Sequence, residues 1–378
     1  MQKRALVIAS MASMIDNFNR NNIIELEKLG YKVDIAANFE TEDSNSYEKV
    51  QMFRKEMIET GHKVIHIDFS RRLESIRKQI LSIKQVRMLS KNDYDLVHCH
   101  SPICSVIVRL VFHNKKAKLI YTAHGFHFYK GAPLKNWLIY YPIEKWLSRY
   151  TDVLITINKE DYARAKKKFH AQRTEYVPGV GIDVEKFKNT AVDRNAKRKE
   201  LGIPEDAFLM ISVGELNKNK NHQVVIRALA QLNDSHIHYM IAGKGELLDY
   251  LTNLAKQLGV SDQVHFLGYR NDVAELYKIS DIDVFPSIRE GLGLAAIEGM
   301  AAGLPLICSD NRGTREYAVP NENACVCSTP MDYLIAIQKM YTSNVFADSL
   351  GKKGAIKADS FSVDSINRQM KRLYFDFK

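Results

Sequence analysis

Two carboxylates eight residues apart frame a glycine turn in the stretch VFPSIREGLGLAAIEGMAAGLPLICSD, residues 284–310. Glu290 precedes the turn, and Glu298 lies inside the short helix expected to follow it. The amides of Gly293 and Leu294 open that helix, where unpaired N–H groups and the helix dipole attract a phosphate. At 1.5 Å per residue, Glu298 stands about 7 Å further along. A carboxylate there can accept both hydroxyls of a ribose, while Glu290 reaches a second polyol across the turn. Such a pair suits the two ends of a sugar–diphosphate–nucleoside. An NAD-dependent reading competes with it, because residues 291–296 spell G-x-G-x-x-A and Asp310 follows about 20 residues after the first glycine. Against NAD, "SIRE" separates the strand from the first glycine, and the helix has only about ten residues before Gly303-Leu304-Pro305. Glu290 would also set a negative charge beside a pyrophosphate.

These residues need elements to hold them. Apolar runs alternate with helical patterns along almost the whole chain. In the first half the strand-like runs are 5–10, 31–37, 63–69, 94–100, 118–124, 152–158 and 174–178. In the second half they are 208–214, 237–243, 264–269, 281–287, 304–310 and 324–328. The alternation predicts an α/β chain with two doubly wound, parallel-sheet, Rossmann-like domains and ligands at the carboxyl ends of the strands. The expected domains are 1–185, joined by a C-terminal helix over 360–378, and 186–359. The glycines and proline of PGVGIDVEKFKN (178–189) mark the hinge.

Composition bounds the function classes. Hydrophobic residues make up 46% of the chain and charged residues 26%, as in ordinary globular proteins. Residues 1–185 hold 30 Lys and Arg against 21 Asp and Glu, whereas 186–378 hold 24 against 23. The basic excess is therefore N-terminal and points to an anionic surface or substrate there. No zinc knuckle, RNP motif or basic helix-turn-helix supports nucleic acid as the partner. Five cysteines, at 99, 104, 308, 325 and 327, form no paired framework, which predicts buried thiols in a reducing, cytoplasmic setting. MQKRALVIASMASMID imitates a signal peptide but is needed as the first strand. No apolar run reaches the roughly 18 residues of a membrane span.

The block PSxxEGxGxxxxEGMAxGxP resembles the E-x7-E signature of retaining glycosyltransferases of family 4, of the kind that build bacterial exopolysaccharide and capsule. That resemblance implies the GT-B architecture of two facing Rossmann-like domains. It implies transfer from a nucleotide-sugar, by family habit a uridine one, to a hydroxyl of a lipid-linked glycan acceptor. It places Glu290 against the donor sugar, Glu298 on the ribose, and Gly291, Leu292, Gly293 and Leu294 around the hexose and phosphates. VGELNKNKNHQ (213–223), with Gly214, matches the family's phosphate loop and puts Lys220 on the donor diphosphate. Glu215 stands where the family usually has an arginine, and Lys218, Arg289 or Arg315 are the stand-ins. Gly243 of AGKGE and Tyr269 and Arg270 of FLGYRND match further donor-side loops, and Glu316 of SDNRGTREY lies near donor or acceptor. His124, at the end of the fifth strand, matches the family's active-site histidine. His100, His127, Ser13, Asp16 and Asn19 are the acceptor-side candidates. A sugar-nucleotide epimerase of the same architecture and a non-catalytic scaffold are the competing classes.

No metal or other cofactor is expected. The pair Asp281/Asp283 could hold Mg²⁺ on a diphosphate, but it begins a strand, at the end opposite the expected site. In residues 70–91, Leu73, Ile76, Ile80, Ile83 and Leu89 are expected on one helical face. Arg71, Arg72, Arg77, Lys78, Lys84, Arg87 and Lys91 surround them. This predicts a peripheral contact with an anionic membrane.

Overall fold

A computed structural model describes residues 2–40, 46–70 and 76–377. Arg71, Arg72 and Leu73 of the basic stretch lie outside them. The chain divides into two compact units, residues 1–180 with 366–378, and residues 181–365.

The first unit carries a seven-stranded parallel sheet: β1 (Arg4–Met11), β2 (Lys32–Asn38), β3 (Lys63–His66), β4 (Leu96–His100), β5 (Lys118–Ala123), β6 (Val153–Thr156) and β7 (Arg173–Tyr176). Their order is β3-β2-β1-β4-β5-β6-β7. The second unit carries β8 (Phe208–Val213), β9 (Ile237–Ala242), β10 (Val264–Gly268), β11 (Ile282–Phe285), β12 (Leu306–Ser309) and β13 (Ala324–Cys327), ordered β10-β9-β8-β11-β12-β13. Central strands are buried on both faces, so they read as unbroken apolar runs; in β1, residues 5–11 are all buried. β3 stops at His66, and Ile67 and Phe69 turn down into the core instead.

Six helices bear on function: α1 (Ala12–Phe18), α2 (Ile76–Leu89), α3 (Pro102–Phe112), α4 (Leu134–Leu147), α5 (Leu294–Ala301) and α6 (Val363–Phe375). From Ile366 onward, α6 is part of the first unit, where Ile366, Met370, Leu373 and Tyr374 join the core beneath β1 and β2. On the other face of that sheet, α2, α3 and α4 pack side by side over one core. The expected stripe on α2 is corrected here. Ser82, Val86 and Leu89 face inward, Ile83 is half-buried and Ile80 is exposed. The face packed inward includes the small Ser82, which a periodicity of large apolar residues does not reveal.

One buried ion pair fixes how α4 is turned. Arg109 of α3 donates to Glu144 Oε2 at 2.8 Å, and its guanidinium lies 4.4 Å from the Tyr121 ring centroid. Trp137 and Tyr141 of α4 pack on Phe128 at 5.7 and 5.3 Å between centroids. Removing one partner of such a pair strands a buried charge, so Arg109→Met should lower stability by ~3–5 kcal/mol. Adding Glu144→Gln should restore most of that loss, and urea unfolding of both variants and the wild type checks it.

Candidate active site

Where the strand order of a doubly wound sheet reverses, neighbouring loops diverge and leave a crevice at the carboxyl edge. In the second unit the reversal lies between β8 and β11. The loops after these strands are stitched together, Ile288 N donating to Asn219 O at 2.8 Å and Asn219 Nδ2 to Arg289 O at 2.9 Å. Lys220 Nζ, from the first loop, meets Glu290 Oε1, from the second, at 2.7 Å. Both side chains are mostly buried, and the ammonium also lies 5.0 Å from the Phe285 ring centroid. An ammonium has three donors, so Lys220 can serve Glu290 and a phosphate together. Gly243 closes this edge beside Gly214, because a Cβ on Gly243 would fall 1.8 Å from Gly214 O.

Gly291 and Leu292 make the turn that leads into α5, and Leu294 is that helix's first residue. Gly293 sits at φ +89°, and a Cβ there would meet Phe285 at 2.8 Å and the Tyr317 hydroxyl at 3.0 Å. Only glycine therefore lets the chain enter the helix at this angle. Glu298, one turn along α5, makes no side-chain hydrogen bond among the described residues. Burial pushes its carboxyl up to about 7, against a weaker downward pull from Lys186. Asp283 of β11 packs against the adjacent Gly299, fully buried, with Oδ2 lacking a partner. Burial first, and the Glu298 charge second, hold Asp283 well above the carboxylate range.

The remaining donor-side candidates are spread along the same edge. Tyr269 is 60% exposed after β10. Arg270 is occupied by Asp272, with Nε to Oδ1 at 2.8 Å, and reaches Glu200 at 3.7 Å. Glu316 is buried in a single 3₁₀ turn. Glu215 is exposed and accepts from Asn217 at 2.9 Å. Of the stand-ins for the missing arginine, Arg315 is held on Asp310 at 2.6 Å, whereas Lys218 is exposed on the loop. Asp281 caps the start of the sheet, accepting from Leu209 N at 2.7 Å and pairing with Arg194 and Arg198. Among the described residues, no group of three His, Cys, Asp or Glu is arranged to hold a metal ion.

In the first unit the reversal lies between β1 and β4, and a small cavity of ≈ 20 Å³ opens there. Asn19, Asn22, His100, Thr122, His124 and Asn367 are among its lining residues. His100 Nδ1 and His124 Nε2 lie 3.2 Å apart, and His100 Nε2 is buried without a partner. His98, not singled out in the sequence, has its ring 4.1 Å from that of His100, tilted against it, and is held by Tyr374 and Thr122, each at 2.8 Å. Alternation along β4 puts His98 and His100 on one face, which is the signal that could have found it. Burial lowers all three imidazoles, His124 to about 4, His98 to about 3 and His100 well below its ordinary value. They are neutral at pH 7. Ser13 is buried in α1, and Asn19 is committed to Met14 O and Asn22, both at 2.8 Å. Asp16 pairs with Arg20 at 2.7 Å. His127 does not join the cluster, since its ring stacks on Tyr140 of α4 at 4.7 Å.

The family model described as Glycosyltransferase Family 4 matches residues 17–186, and that described as Glycosyl transferases group 1 matches residues 193–357. The chain is 35% identical over 384 residues to "Putative glycosyltransferase EpsD" of Bacillus subtilis (strain 168), spanning 99% of this chain and 97% of that one. It is 29% identical over 251 residues to the UDP-Gal:alpha-D-GlcNAc-diphosphoundecaprenol alpha-1,3-galactosyltransferase of Escherichia coli, covering 64% of this chain and 65% of that one. The crystal structure of HepE from Anabaena in complex with UDP and glucose superposes with a TM-score of 0.79 at 17% identity, over 99% of this chain and all of that one. Fold and site thus define a GT-B enzyme that uses nucleotide-sugars. The chain belongs to the family 4 glycosyltransferases.

The raised carboxyl of Glu298 makes a signed prediction. Its folded pKa, about 7, exceeds that of the unfolded chain, so the folded state binds the extra proton and loses stability as pH rises from about 4.5 through 7. Glu298→Gln should match the wild type at pH 4 and exceed it above pH 7, by up to ~3 kcal/mol. Denaturation curves across that range check it, and a difference that does not change with pH would refute the burial argument.

Proposed function

We propose that this glycosyltransferase moves a sugar from a UDP-sugar to a hydroxyl of a lipid-linked glycan, with retention of anomeric configuration, in cell-surface polysaccharide assembly. The observation that carries the reading is the Lys220–Glu290 pair beside the N-terminus of α5, with the unpartnered carboxyl of Glu298 one turn beyond. The UDP and glucose bound by HepE, and the UDP-Gal and undecaprenol diphosphate in the name of the E. coli relative, support the donor and acceptor classes. Exposed Arg77, Lys78, Lys84 and Arg87 on α2 support work at an anionic membrane.

In this reading the bond from the anomeric carbon to the diphosphate oxygen breaks, and its electron pair leaves with UDP. The acceptor hydroxyl attacks on the same face, and its proton passes to the departing phosphate oxygen. Lys220 and the amides at Gly293 and Leu294 oppose the charge that grows on the diphosphate, donors already in place before the reaction. Glu290 lies toward the sugar, where positive charge develops. Glu298 holds the ribose, which does not change. His124 takes the role the resemblance implies, contact with the donor sugar.

Turnover of a panel of nucleotide-sugars on a lipid-linked acceptor tests the reading, and anomeric retention is read by NMR of the product. Lys220→Ala should lower kcat by ~10²–10³, whereas Lys218→Ala should cost less than about fivefold. Because Lys220→Ala also strands Glu290, combining it with Glu290→Gln should cost less than the two single losses together. Equal, small losses from both lysine variants would remove Lys220 from the mechanism.

The two acids should fail differently. Glu298→Gln should weaken calorimetric binding of UDP and of the donor alike, by ~1.5–3 kcal/mol, because ribose is gripped equally throughout the reaction. Glu290→Gln should leave UDP affinity nearly intact and fall on kcat. The opposite pattern would reverse the two assignments.

A further inference from the structure

The outer face of α4 inverts the usual arrangement of a surface helix. Its inward side carries Trp137, Tyr140, Tyr141, Glu144 and Leu147, tied down by the Arg109 ion pair and the aromatic packing on Phe128. Its water-facing side carries Leu134, Leu138, Ile139, Pro142, Ile143 and Trp146. At about 100° per residue these six span roughly half of the helix circumference. Leu134 is 73% exposed and Leu138 68%. Single exposed apolar residues are ordinary, but a contiguous row of this length marks an interaction surface.

The neighbouring helices extend the patch. α3 packs against both α2 and α4. Leu110 of α3 is exposed, as are Ile80, Leu81 and Met88 of α2. Around these apolar residues stand exposed Arg77, Lys78, Lys84, Arg87, Lys135 and Arg149. The three helices contain a single carboxylate, Glu144, and it is buried on Arg109. An apolar centre with a cationic rim and no exposed acid is complementary to the headgroups and acyl boundary of an anionic bilayer. Long cationic side chains can lie along such a surface with their charges at the headgroups, and a tryptophan suits the same depth. A second copy is a poorer occupant, because a two-fold contact through this face would set its cations against themselves.

We propose that α4 is the element that inserts into the membrane, its row from Leu134 to Trp146 entering the headgroup boundary of an anionic bilayer, with the cations of α2 supplying attraction beside it. This rests on the reading of a membrane-embedded acceptor and deepens it. It assigns the apolar, salt-resistant part of binding to α4 and the salt-sensitive part to α2.

The test is flotation of the full chain with phosphatidylglycerol-rich and pure phosphatidylcholine vesicles, at low and high salt. Tryptophan quenching by brominated lipid is measured alongside. Wild type should float with the anionic vesicles and keep a bound share at high salt. Leu138→Glu with Ile139→Glu, both on the water side and so compatible with folding, should reduce binding more than about tenfold. The same variant should keep wild-type turnover of a short soluble acceptor. Trp146→Phe should remove most of the quenching, since Trp137 faces inward. If the double variant binds as wild type does, α4 is not the inserting element, while the membrane reading stands. If wild type does not bind anionic vesicles at all, both fail. If sedimentation shows a wild-type dimer that the double variant dissociates, the face is a protein interface and the proposal is overturned.

Discussion

A parallel sheet delivers the carboxyl end of every strand to one edge, and its crossover helices must lie on its faces. That constraint governs both units. Once the strand order reverses, as between β8 and β11 or between β1 and β4, the two central loops turn to opposite faces and a crevice remains between them. Lys220 and Glu290 are 70 residues apart in the chain, yet each belongs to the loop that leaves one of the two reversing strands. Their 2.7 Å contact follows from topology before it follows from any local preference. The same geometry in the first unit sets His100, at the end of β4, against His124, at the end of β5, and α1 directly after β1. Local chemistry then adjusts what topology has assembled. Gly293 allows the steep entry into α5, and Gly243 allows the close approach to Gly214.

In the proposed reading two acids stand beside a diphosphate, an electrostatic problem that each acid meets by a different means. Glu290 is paired with Lys220 at 2.7 Å, so the two together present little net charge to a phosphate. Glu298 is half-buried without a countercharge in contact, and burial lifts it to about 7, which reduces its negative charge at neutral pH. Asp283 behind it is raised well above the carboxylate range by still deeper burial. On that reading, a chain with glutamate at 215, where an arginine is usual, keeps a site that an anion can approach. Glu215 is exposed and bound to Asn217, so water screens it. The objection that Glu290 would repel a pyrophosphate holds for an isolated acid, and here the acid is not isolated.

The strands were legible because burial on both faces leaves nothing to alternate, and an unbroken apolar run is hard to mistake. The spacing of Glu290, the glycines and Glu298 was legible because one turn and one helix carry all of them. What required three dimensions was pairing across long sequence separations. Neither the Lys220–Glu290 contact nor the imidazole row with Tyr374 could be read from spacing, since 276 residues separate His98 from Tyr374. Nor could the place of His127, three residues after His124, since the chain turns between them and its ring goes to Tyr140 of α4. On α2, periodicity favoured the large residue Ile80, and the fold instead buried Ser82 and Val86, where a close-packed neighbour needs small or branched side chains.

α4 shows the limit of amphipathic reading from the other side. Its sequence is apolar around most of the circumference, so periodicity alone does not say which side meets water. The deciding residue is polar. Glu144 can be buried only where Arg109 reaches it, and that requirement turns Trp137, Tyr140 and Tyr141 inward and the aliphatic row outward. A helix meant only to cover the sheet would place its aliphatic residues against the core, gaining burial at every turn. Here the core takes the aromatic rings and an ion pair, and the aliphatic row is left facing out with cations beside it. A contiguous apolar row left out of the core in this way marks a surface that something else can cover. On the proposed reading, in which the acceptor carries a lipid, the covering surface and the substrate are in the same place.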